Sequence, residues 1–233
     1  MSRAATSLQE ARVNAANASG GVSNDAIYRA ILRVLEELDS KGSILDLGSG
    51  TGSLARQLAQ SRKYNSVWAA DLMEKPADLG DVQWIRADLN DPLPQPDATF
   101  DVIVAAEVIE HLENPRSMMR EIFRLLKPAG HAVISTPNNE SWRSLISLVA
   151  RGHYVAFCNG SYPAHITALL RRDLERIAVE AGFDPPEFRF TNVGGIPGKP
   201  TTSWQTVSAG LLKGLRFSDN VIGVCRKPKG HRG

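Results

Sequence analysis

The sequence contains few cysteines, no long apolar run and almost no net charge, and each shortage excludes a class of protein. Its two cysteines, Cys158 and Cys225, cannot build a disulfide framework, and no CxxC or Cys/His spacing typical of a zinc site is present. No run of about 18 apolar residues is long enough to span a membrane, and the N-terminal segment lacks the apolar core of a signal peptide. A formal net charge of +2 indicates no overall field for nucleic acid.

What is present is ordinary for a globular domain. Hydrophobic residues make up 42% of the 233 residues and charged residues 22%, enough for a full core in one domain. We therefore expect a cytoplasmic enzyme or binding protein with free, buried thiols, no nucleic-acid partner and no transmembrane segment. The basic end RKPKGHRG is interpreted as a solvated tail. Nothing in the sequence indicates an oligomeric state.

Residues 1–24 are predicted to form an N-terminal arm or lid, ahead of a main domain at residues 25–233. The arm is rich in Ala and Asn and ends near the breaker pair Gly20-Gly21. Asn24 then supplies a favoured N-cap, and apolar residues recur at helical spacing until Gly42.

Strand and helix patterns alternate along the main domain. Short, continuously apolar runs predict seven strands, at 43–48, 66–71, 81–88, 100–107, 131–136, 187–193 and 220–226. Helical spacing predicts helices between them, at 54–60, 115–126, 142–149 and 173–181. Such alternation predicts an α/β fold with a mainly parallel sheet covered on both faces.

Two segments differ in composition from the rest of the main domain, residues 142–165 and 194–217. Aromatic residues cluster in the first, at Trp142, Tyr154, Phe157 and Tyr162. The second opens with GGIPGKP, which predicts a loop. After it, one helical stripe is predicted to pack on the protein rather than on a membrane surface, formed by Trp204, Val207, Leu211, Leu212 and Leu215.

The most informative segment is ILDLGSGTGSLARQLA, residues 44–59. A buried strand ends at Asp46, three glycines form a turn, and a helix begins near Ser53. Glycines allow a backbone to approach a ligand closely, and a helix N-terminus attracts negative charge. The dinucleotide fingerprint requires Gly or Ala at its sixth position, where this chain has Ser53, so the turn alone does not identify its ligand.

Acidic residues follow the next two strands. Asp71 ends the second strand 23 residues after Gly48, where its carboxylate is able to accept hydrogen bonds from both ribose hydroxyls. Asp88 ends the third strand, in a position to accept from an adenine amine beside Leu89. Both also have a structural interpretation, because Asp favours caps and turns.

Taken in order, these motifs resemble those of class I S-adenosylmethionine-dependent methyltransferases from about residue 25 to residue 227. The segments that carry the resemblance are DLGSGTG, AADL, RADLNDPLP, FDVIVAAEVIEHL, LLKPAGHAVISTPN and HITALLRRDLERIAVEAGF. The resemblance implies a Rossmann-like, doubly wound, seven-stranded sheet whose last strand is antiparallel. It also implies cofactor contacts by Asp46, Gly48, Ser49, Gly50, Gly52, Asp71, Leu72, Asp88, Leu89, Ala105, Ala106 and Glu107. In such an enzyme, residues 142–165 and 194–217 would build the acceptor side of the site.

The segment EVIEH allows three interpretations, which the sequence leaves open. Glu107 and Glu110 would be ordinary residues of a helix first turn, or His111 would be the general base that takes a proton from the acceptor. In the third, Glu107, Glu110 and His111 would bind Mg²⁺ or Mn²⁺ with His165, or less favourably His153. The third rests on resemblance to the E-x-x-E-H stretch of ubiquinone-pathway and small-RNA methyltransferases.

The sequence thus predicts a methyltransferase that uses S-adenosylmethionine and acts on oxygen of a small-molecule acceptor. A quinone precursor, a glycan and a natural product are the candidate acceptors. A nicotinamide-dependent oxidoreductase and a non-catalytic module that binds the same cofactor are the rival predictions.

Overall fold

The computed structural model describes residues 10, 12–15, 20–21 and 23–230. The predicted arm at residues 1–24 is therefore described only in part, and residues 231–233 of the tail lie outside the described residues. The six helices bounded within the described part are α1 Asp25–Glu37, α2 Ser53–Gln60, α3 Pro115–Leu125, α4 Trp142–Arg151, α5 Arg171–Ala181 and α6 Trp204–Val207. The strands are β1 Ser43–Leu47, β2 Ser66–Asp71, β3 Gln83–Arg86, β4 Phe100–Ala106, β5 Leu126–Pro137, β6 Glu187–Phe190, β7 Gly195–Ile196, β8 Lys199–Ser203 and β9 Asn220–Arg226.

Seven strands form one sheet in the order β3-β2-β1-β4-β5-β9-β6. The pairs from β3 to β5 are parallel, whereas β9 is antiparallel to both of its neighbours. The predicted mainly parallel sheet with an antiparallel last strand is confirmed. From β1 the chain runs through β2 to β3 at one edge of the sheet, and it then crosses back to β4 on the other side of β1. Parallel neighbours require such crossover connections.

Apolar layers cover both faces of the sheet. Ile44 of β1 packs with the residues of α1 and α2, while its neighbour Leu45 packs in the layer of α3 and α5. Successive side chains of a strand point to opposite faces, so a centre strand in this position must be apolar at consecutive residues. Asn24 caps α1, as predicted, by accepting a hydrogen bond from the backbone of Ala26.

The region between β6 and β9 differs from its prediction. The segment GGIPGKP is not a plain loop, because β7 and β8 pair as a small antiparallel hairpin. The predicted helical stripe is also wrong: α6 ends at Val207, and Gly210 and Gly214 then adopt positive φ angles of 80° and 81°. Those glycines interrupt the helix, so Leu211 is 86% exposed instead of packed on the protein.

The two cysteines occupy different environments. Cys225 lies in β9, where burial raises the pKa of its thiol to about 12. Cys158 is only half-buried, so the prediction that both thiols are buried is wrong for this residue. Over the described residues, none of the helices combines the length and apolar character needed to cross a bilayer.

Candidate active site

The glycine turn after β1 has no space for side chains. Gly48 has φ +78°, and a Cβ atom there would overlap the side chain of Val108. Gly50 has φ +52°, and a Cβ atom there would overlap the backbone carbonyl of Gly21 in the N-terminal segment. Both positions therefore require glycine, for the backbone conformation and for the close approach. At these two positions the turn therefore consists of main-chain atoms alone.

Asp71 fastens this turn to the end of β2. Its carboxylate accepts a hydrogen bond from the backbone N–H of Gly50 at 2.7 Å and another from Met73 at 2.9 Å. The side chain thereby joins the glycine turn and the β2 loop across one corner of the sheet. A carboxylate has about four acceptor positions, so two remain for a ligand.

Asp88 lies at the next corner and is held in a similar manner. It accepts from the backbone N–H of Asn90 at 2.9 Å and from the guanidinium of Arg12 at 3.0 Å. Burial opposes ionisation of Asp88, but the bonds from Asn90 and the charge of Arg12 outweigh it and lower its pKa. The charged form is therefore the one present at neutral pH.

Asp46 is the buried acid of the site, with 1% of its surface exposed. Its carboxylate accepts a hydrogen bond from the hydroxyl of Ser49 at 2.7 Å. Burial raises the pKa of Asp46 to about 7, the charge of Asp71 contributes in the same direction, and the bond from Ser49 opposes the shift. The carboxyl group is therefore able to change its charge near neutral pH.

Replacing Asp46 with asparagine is expected to flatten the dependence of stability on pH. The pKa of Asp46 is about 7 in the folded protein and about 3.9 in an unfolded chain. The folded state thus holds this proton more tightly, so the contribution to stability falls as pH rises from about 4 to 7. Between pH 5 and pH 8 the wild type should lose about 2–3 kcal/mol relative to Asp46→Asn. Urea unfolding at both pH values measures this, and parallel profiles for the two proteins would contradict it.

A cavity of about 600 Å³ opens beside these residues at the carboxyl ends of β1, β2 and β4. Most of the sequence-predicted site residues line it, namely Asp46, Gly48, Ser49, Gly50, Asp71, Leu72, Asp88, Leu89, Ala106, Glu107, His111 and His165. Two predicted cofactor residues do not. Gly52 is the N-cap of α2, and Ala105 is fully buried within β4. The carboxyl end of a parallel sheet is where α/β proteins bind ligands.

The N-terminal segment covers one side of the cavity, which the sequence did not predict in detail. Arg12 makes two hydrogen bonds to Glu113, at 2.9 and 3.0 Å, in addition to its bond to Asp88. The carbonyl of Gly21 accepts from the backbone N–H of Thr51 at 3.0 Å. Arg12 and Asp88 are 76 positions apart in the sequence, and no local pattern indicates that they meet.

Glu107 directly follows β4 in a strained conformation, with φ +56°. The residue is half-buried, and its carboxylate accepts hydrogen bonds from Ser135 Oγ at 2.9 Å and from Asn220 Nδ2 at 2.8 Å. Burial raises its pKa to about 7, and both hydrogen bonds oppose the shift. A non-glycine residue at positive φ is a costly feature that clusters at functional sites. Asn220, from the last strand, is a cavity residue that the sequence analysis missed.

Glu110 is turned into the protein, which corrects the expectation of a helix first turn. Residues Ile109–His111 form a single 3₁₀ turn, and α3 begins only at Pro115. Glu110 is 0% exposed and accepts a hydrogen bond from Thr136 Oγ1 at 3.1 Å through one oxygen. Its other oxygen has no hydrogen-bond partner among the described residues. Burial, together with the charge of Glu107, raises the pKa of Glu110 well above its usual range.

Two imidazoles meet edge to face beside Glu110, at an interplanar angle of 77°. His111 Nδ1 lies 2.8 Å from the carbonyl of Ala164, and His165 Nδ1 lies 2.7 Å from the carbonyl of Ala156. A carbonyl only accepts, so each Nδ1 carries the hydrogen and each Nε2 presents a lone pair. The ring centroids are 4.7 Å apart. Burial lowers the pKa of both rings, which favours their neutral forms.

Glu110, His111 and His165 offer ligand atoms that all lie within 4.8 Å of one another. The chain just after His165 is joined to Glu110, because the backbone N–H groups of Ile166 and Thr167 both donate to the carbonyl of Glu110. Glu107 is not part of this three-residue cluster, and neither is His153, so the predicted ligand set is only partly assembled. The cluster has the composition of a divalent metal site, and His111 alone has the form of a general base.

The sequence and the fold are both similar to known methyltransferases. Residues 23–186, more than two thirds of the chain, match the methyltransferase domain family. The ubiquinone biosynthesis O-methyltransferase of Vibrio campbellii is 28% identical over 127 residues, which cover 50% of this chain and 53% of the relative. The demethylmenaquinone methyltransferase of Clavibacter sepedonicus is 33% identical over 144 residues, covering 57% and 54%. The chain therefore spans about half the length of the curated relatives it matches.

A solved structure with the same fold covers almost the whole chain. It is the complex between the Haloferax volcanii Trm112 methyltransferase activator and a methyltransferase, matched with a TM-score of 0.66 at 18% identity. The match covers 95% of this chain and 97% of the other. At this identity the likeness extends to the fold alone.

Proposed function

Because the chain belongs to the methyltransferase domain family, we propose that it transfers the methyl group of S-adenosylmethionine to an oxygen atom of a small molecule. Residues 25–233 would form the catalytic domain, and the part of residues 1–24 that contacts Asp88 would act as a lid. Residues 142–165 and 194–217 would build the acceptor side. The observation that carries the proposal is the cavity in which the glycine turn, three aspartates and a neutral histidine converge.

The residues of the cavity fit the cofactor chemically. When bound, S-adenosylmethionine supplies an activated methyl group on a sulfonium. The bare backbone of the turn at Gly48 and Gly50 accommodates a close ligand, and Asp71 retains free acceptor positions for ribose hydroxyls. Asp88 would accept from adenine beside Leu89. Asp46, whose charge develops near neutral pH, would face the ammonium group.

The proposal that the methyl acceptor is an oxygen atom rests on the protonation state of His111. Its Nε2 is unprotonated and its ring lines the cavity, so it is able to take a proton from a hydroxyl acceptor. A thioether or an amine in its free-base form requires no such group. Tyr162 and Ile166, which line the same cavity, would contact the apolar part of the acceptor. The relative named as an O-methyltransferase is in accord with this choice.

As an alternative to His111 as the base, Glu110, His111 and His165 would hold a divalent ion, Mg²⁺ or Mn²⁺, and Nε2 of His111 would then bind the ion and take no proton. Among the described residues one oxygen of Glu110 has no hydrogen-bond partner, and it would be a donor to the ion together with the Nε2 atoms of the two histidines. Each histidine donates its other N–H to a backbone carbonyl, the arrangement that orients metal-binding imidazoles. One carboxylate with two imidazoles favours Mn²⁺ over Mg²⁺. Such an ion would supply positive charge to stabilise a deprotonated acceptor oxygen.

Turnover with hydroxyl acceptors tests the proposed reaction. The purified protein is incubated with S-adenosylmethionine and with catechols, phenols, amines and thiols matched in size, with and without Mn²⁺. S-adenosylhomocysteine and a product heavier by one methyl group are expected with catechols or phenols. The matched control is Asp71→Ala, which should form both products more slowly when S-adenosylmethionine is below saturation. Methylation of the amines or thiols alone would contradict the assignment of oxygen.

A further inference from the structure

Helix α4 exposes its apolar side to solvent and buries its polar side. Its buried residues are Ser144 and Ser147, whereas Trp142, Ile146 and Val149 are 43%, 47% and 90% exposed. At 3.6 residues per turn the three apolar residues lie along one side and the serines along the other. A surface helix normally turns its apolar side to the core. Here the polar side is packed, and the apolar side faces outward.

The segment after α6 extends this exposed surface. Val207 is 58% exposed and Leu211 is 86% exposed. The segment is joined to α4, because the guanidinium of Arg216 lies 5.3 Å from the ring centroid of Trp142. We refer to the exposed side chains of Trp142, Ile146, Val149, Val207 and Leu211 as the apolar patch. Large apolar side chains exposed on neighbouring segments are typical of an interaction site.

Basic residues outnumber acidic residues around the apolar patch. None of the 25 Asp and Glu residues of the chain falls in residues 141–172 or 191–218, whereas seven of its 27 Lys and Arg residues do. Three of these seven pair with acids just outside the two ranges. Arg151 and Lys213 are exposed, each two positions beyond a residue of the patch, and neither makes a salt bridge within the described part of the chain. The remainder of the chain carries more acidic than basic residues. The near-zero net charge of the whole chain therefore conceals a cationic face.

We propose that the apolar patch docks on the surface of an anionic lipid bilayer. A short helix with Trp and aliphatic residues outward and basic residues beside them is the composition of an element that lies in the headgroup region. Basic residues near such a surface are each attracted by its negative potential. A second copy of the chain fits this face less well, because two cationic faces would repel each other.

The docked surface adjoins the mouth of the cavity. Helix α4 contacts the 3₁₀ turn Val155–Phe157, and the ring of Phe157 lies 5.5 Å from the ring of His165. Tyr162 and Ile166 line the cavity and are themselves 73% and 43% exposed. If the proposed function holds, a lipid-like acceptor would pass from the bilayer to His111 without crossing water. Docking itself requires no methyl transfer and is tested separately.

Vesicle flotation tests the docking surface. The full chain is mixed with vesicles of phosphatidylcholine, or of phosphatidylcholine and phosphatidylglycerol, without S-adenosylmethionine or acceptor. Binding is expected only to the vesicles that contain phosphatidylglycerol. Arg151→Glu with Lys213→Glu should weaken binding at least about tenfold, since two attractive charges become repulsive. Val149→Asp with Leu211→Asp should weaken it similarly by removing the inserted side chains.

Matched variants outside the patch separate docking from general effects. Val179→Asp places the same charge at a valine that is 47% exposed on α5, and Arg33→Glu reverses an exposed charge on α1. Both are expected to bind the anionic vesicles like the wild type, and equal losses in these controls would overturn the proposal. The proposal would also be overturned if the wild type bound neither vesicle type or bound both equally. Self-association of the chain that Val149→Asp abolishes would overturn it as well. Binding to RNA in place of vesicles would likewise overturn it.

Discussion

Replacing Asp71 with alanine is expected to weaken S-adenosylmethionine binding by at least about tenfold, or 1–2 kcal/mol. Two losses add in this variant. The proposed bonds from the carboxylate to the ribose hydroxyls disappear, and the glycine turn loses its connection to β2, because Asp71 accepts from the backbone of Gly50 and Met73. A turn that is free to move must then be ordered by the ligand, and ordering costs binding free energy. Isothermal titration calorimetry with S-adenosylmethionine measures the effect.

The affinity of Asp71→Ala for S-adenosylmethionine is compared with the affinities of two further variants. Asp71→Asn keeps one acceptor oxygen and should lose less affinity than the alanine variant. Asp81→Ala removes an exposed aspartate that does not line the cavity and should leave affinity unchanged. Circular dichroism and the melting temperature show whether each variant is folded. Wild-type affinity in a folded Asp71→Ala protein would place the adenosyl group elsewhere.

Removing one of the proposed metal-binding side chains, Glu110 or His165, is expected to reduce Mn²⁺ affinity by more than about 100-fold. Substitutions of residues that only orient metal ligands cost about 10–100-fold, and a direct ligand should cost more. The variants are Glu110→Gln, which keeps the shape of the buried side chain, and His165→Ala. Calorimetry with Mn²⁺ and the electron paramagnetic resonance of free Mn²⁺ both report binding without any acceptor. Chelator should remove the ion from the wild type.

His153 provides the matched control for this experiment. Its ring is also half-buried and also bonds a backbone carbonyl through Nδ1, that of Tyr154 at 2.9 Å, but it lies outside the cluster. His153→Ala should bind Mn²⁺ like the wild type. If the wild-type protein binds neither Mn²⁺ nor Mg²⁺, the metal proposal fails. Glu110 would then be a protonated buried acid, and His111 would remain a candidate base.

Several parts of the fold were predictable because their signals are local. Buried strands such as β1 are apolar at consecutive positions, and both faces of this sheet are indeed covered. The glycine turn was visible because positive φ at Gly48 restricts the residue type. Asp71 and Asp88 were predicted to end the second and third strands, and parallel strands end at one edge of the sheet. The structure brings these residues to one cavity, and their binding of a cofactor stays a prediction.

Other features had no local signal. One interpretation placed Glu107 and Glu110 in the first turn of a helix, but the chain turns after β4 and directs Glu107 towards Ser135 and Asn220. The helix predicted after Trp204 stops early, because a helical period in apolar residues does not reveal where glycines leave the helical conformation. The apolar side of α4 was also readable as a stripe, but periodicity does not say which side faces the protein.

The sequence by itself determined the order of strands and helices, the glycine turn and the acids at the strand ends, since each depends on neighbours along the chain. Only the tertiary structure decided which distant side chains meet. Arg12 reaches Asp88 across 76 positions, and Asn220 reaches Glu107 across 113. Such pairs depend on the paths of loops between elements, and those paths are set by packing and by buried hydrogen bonds that no sequence period records.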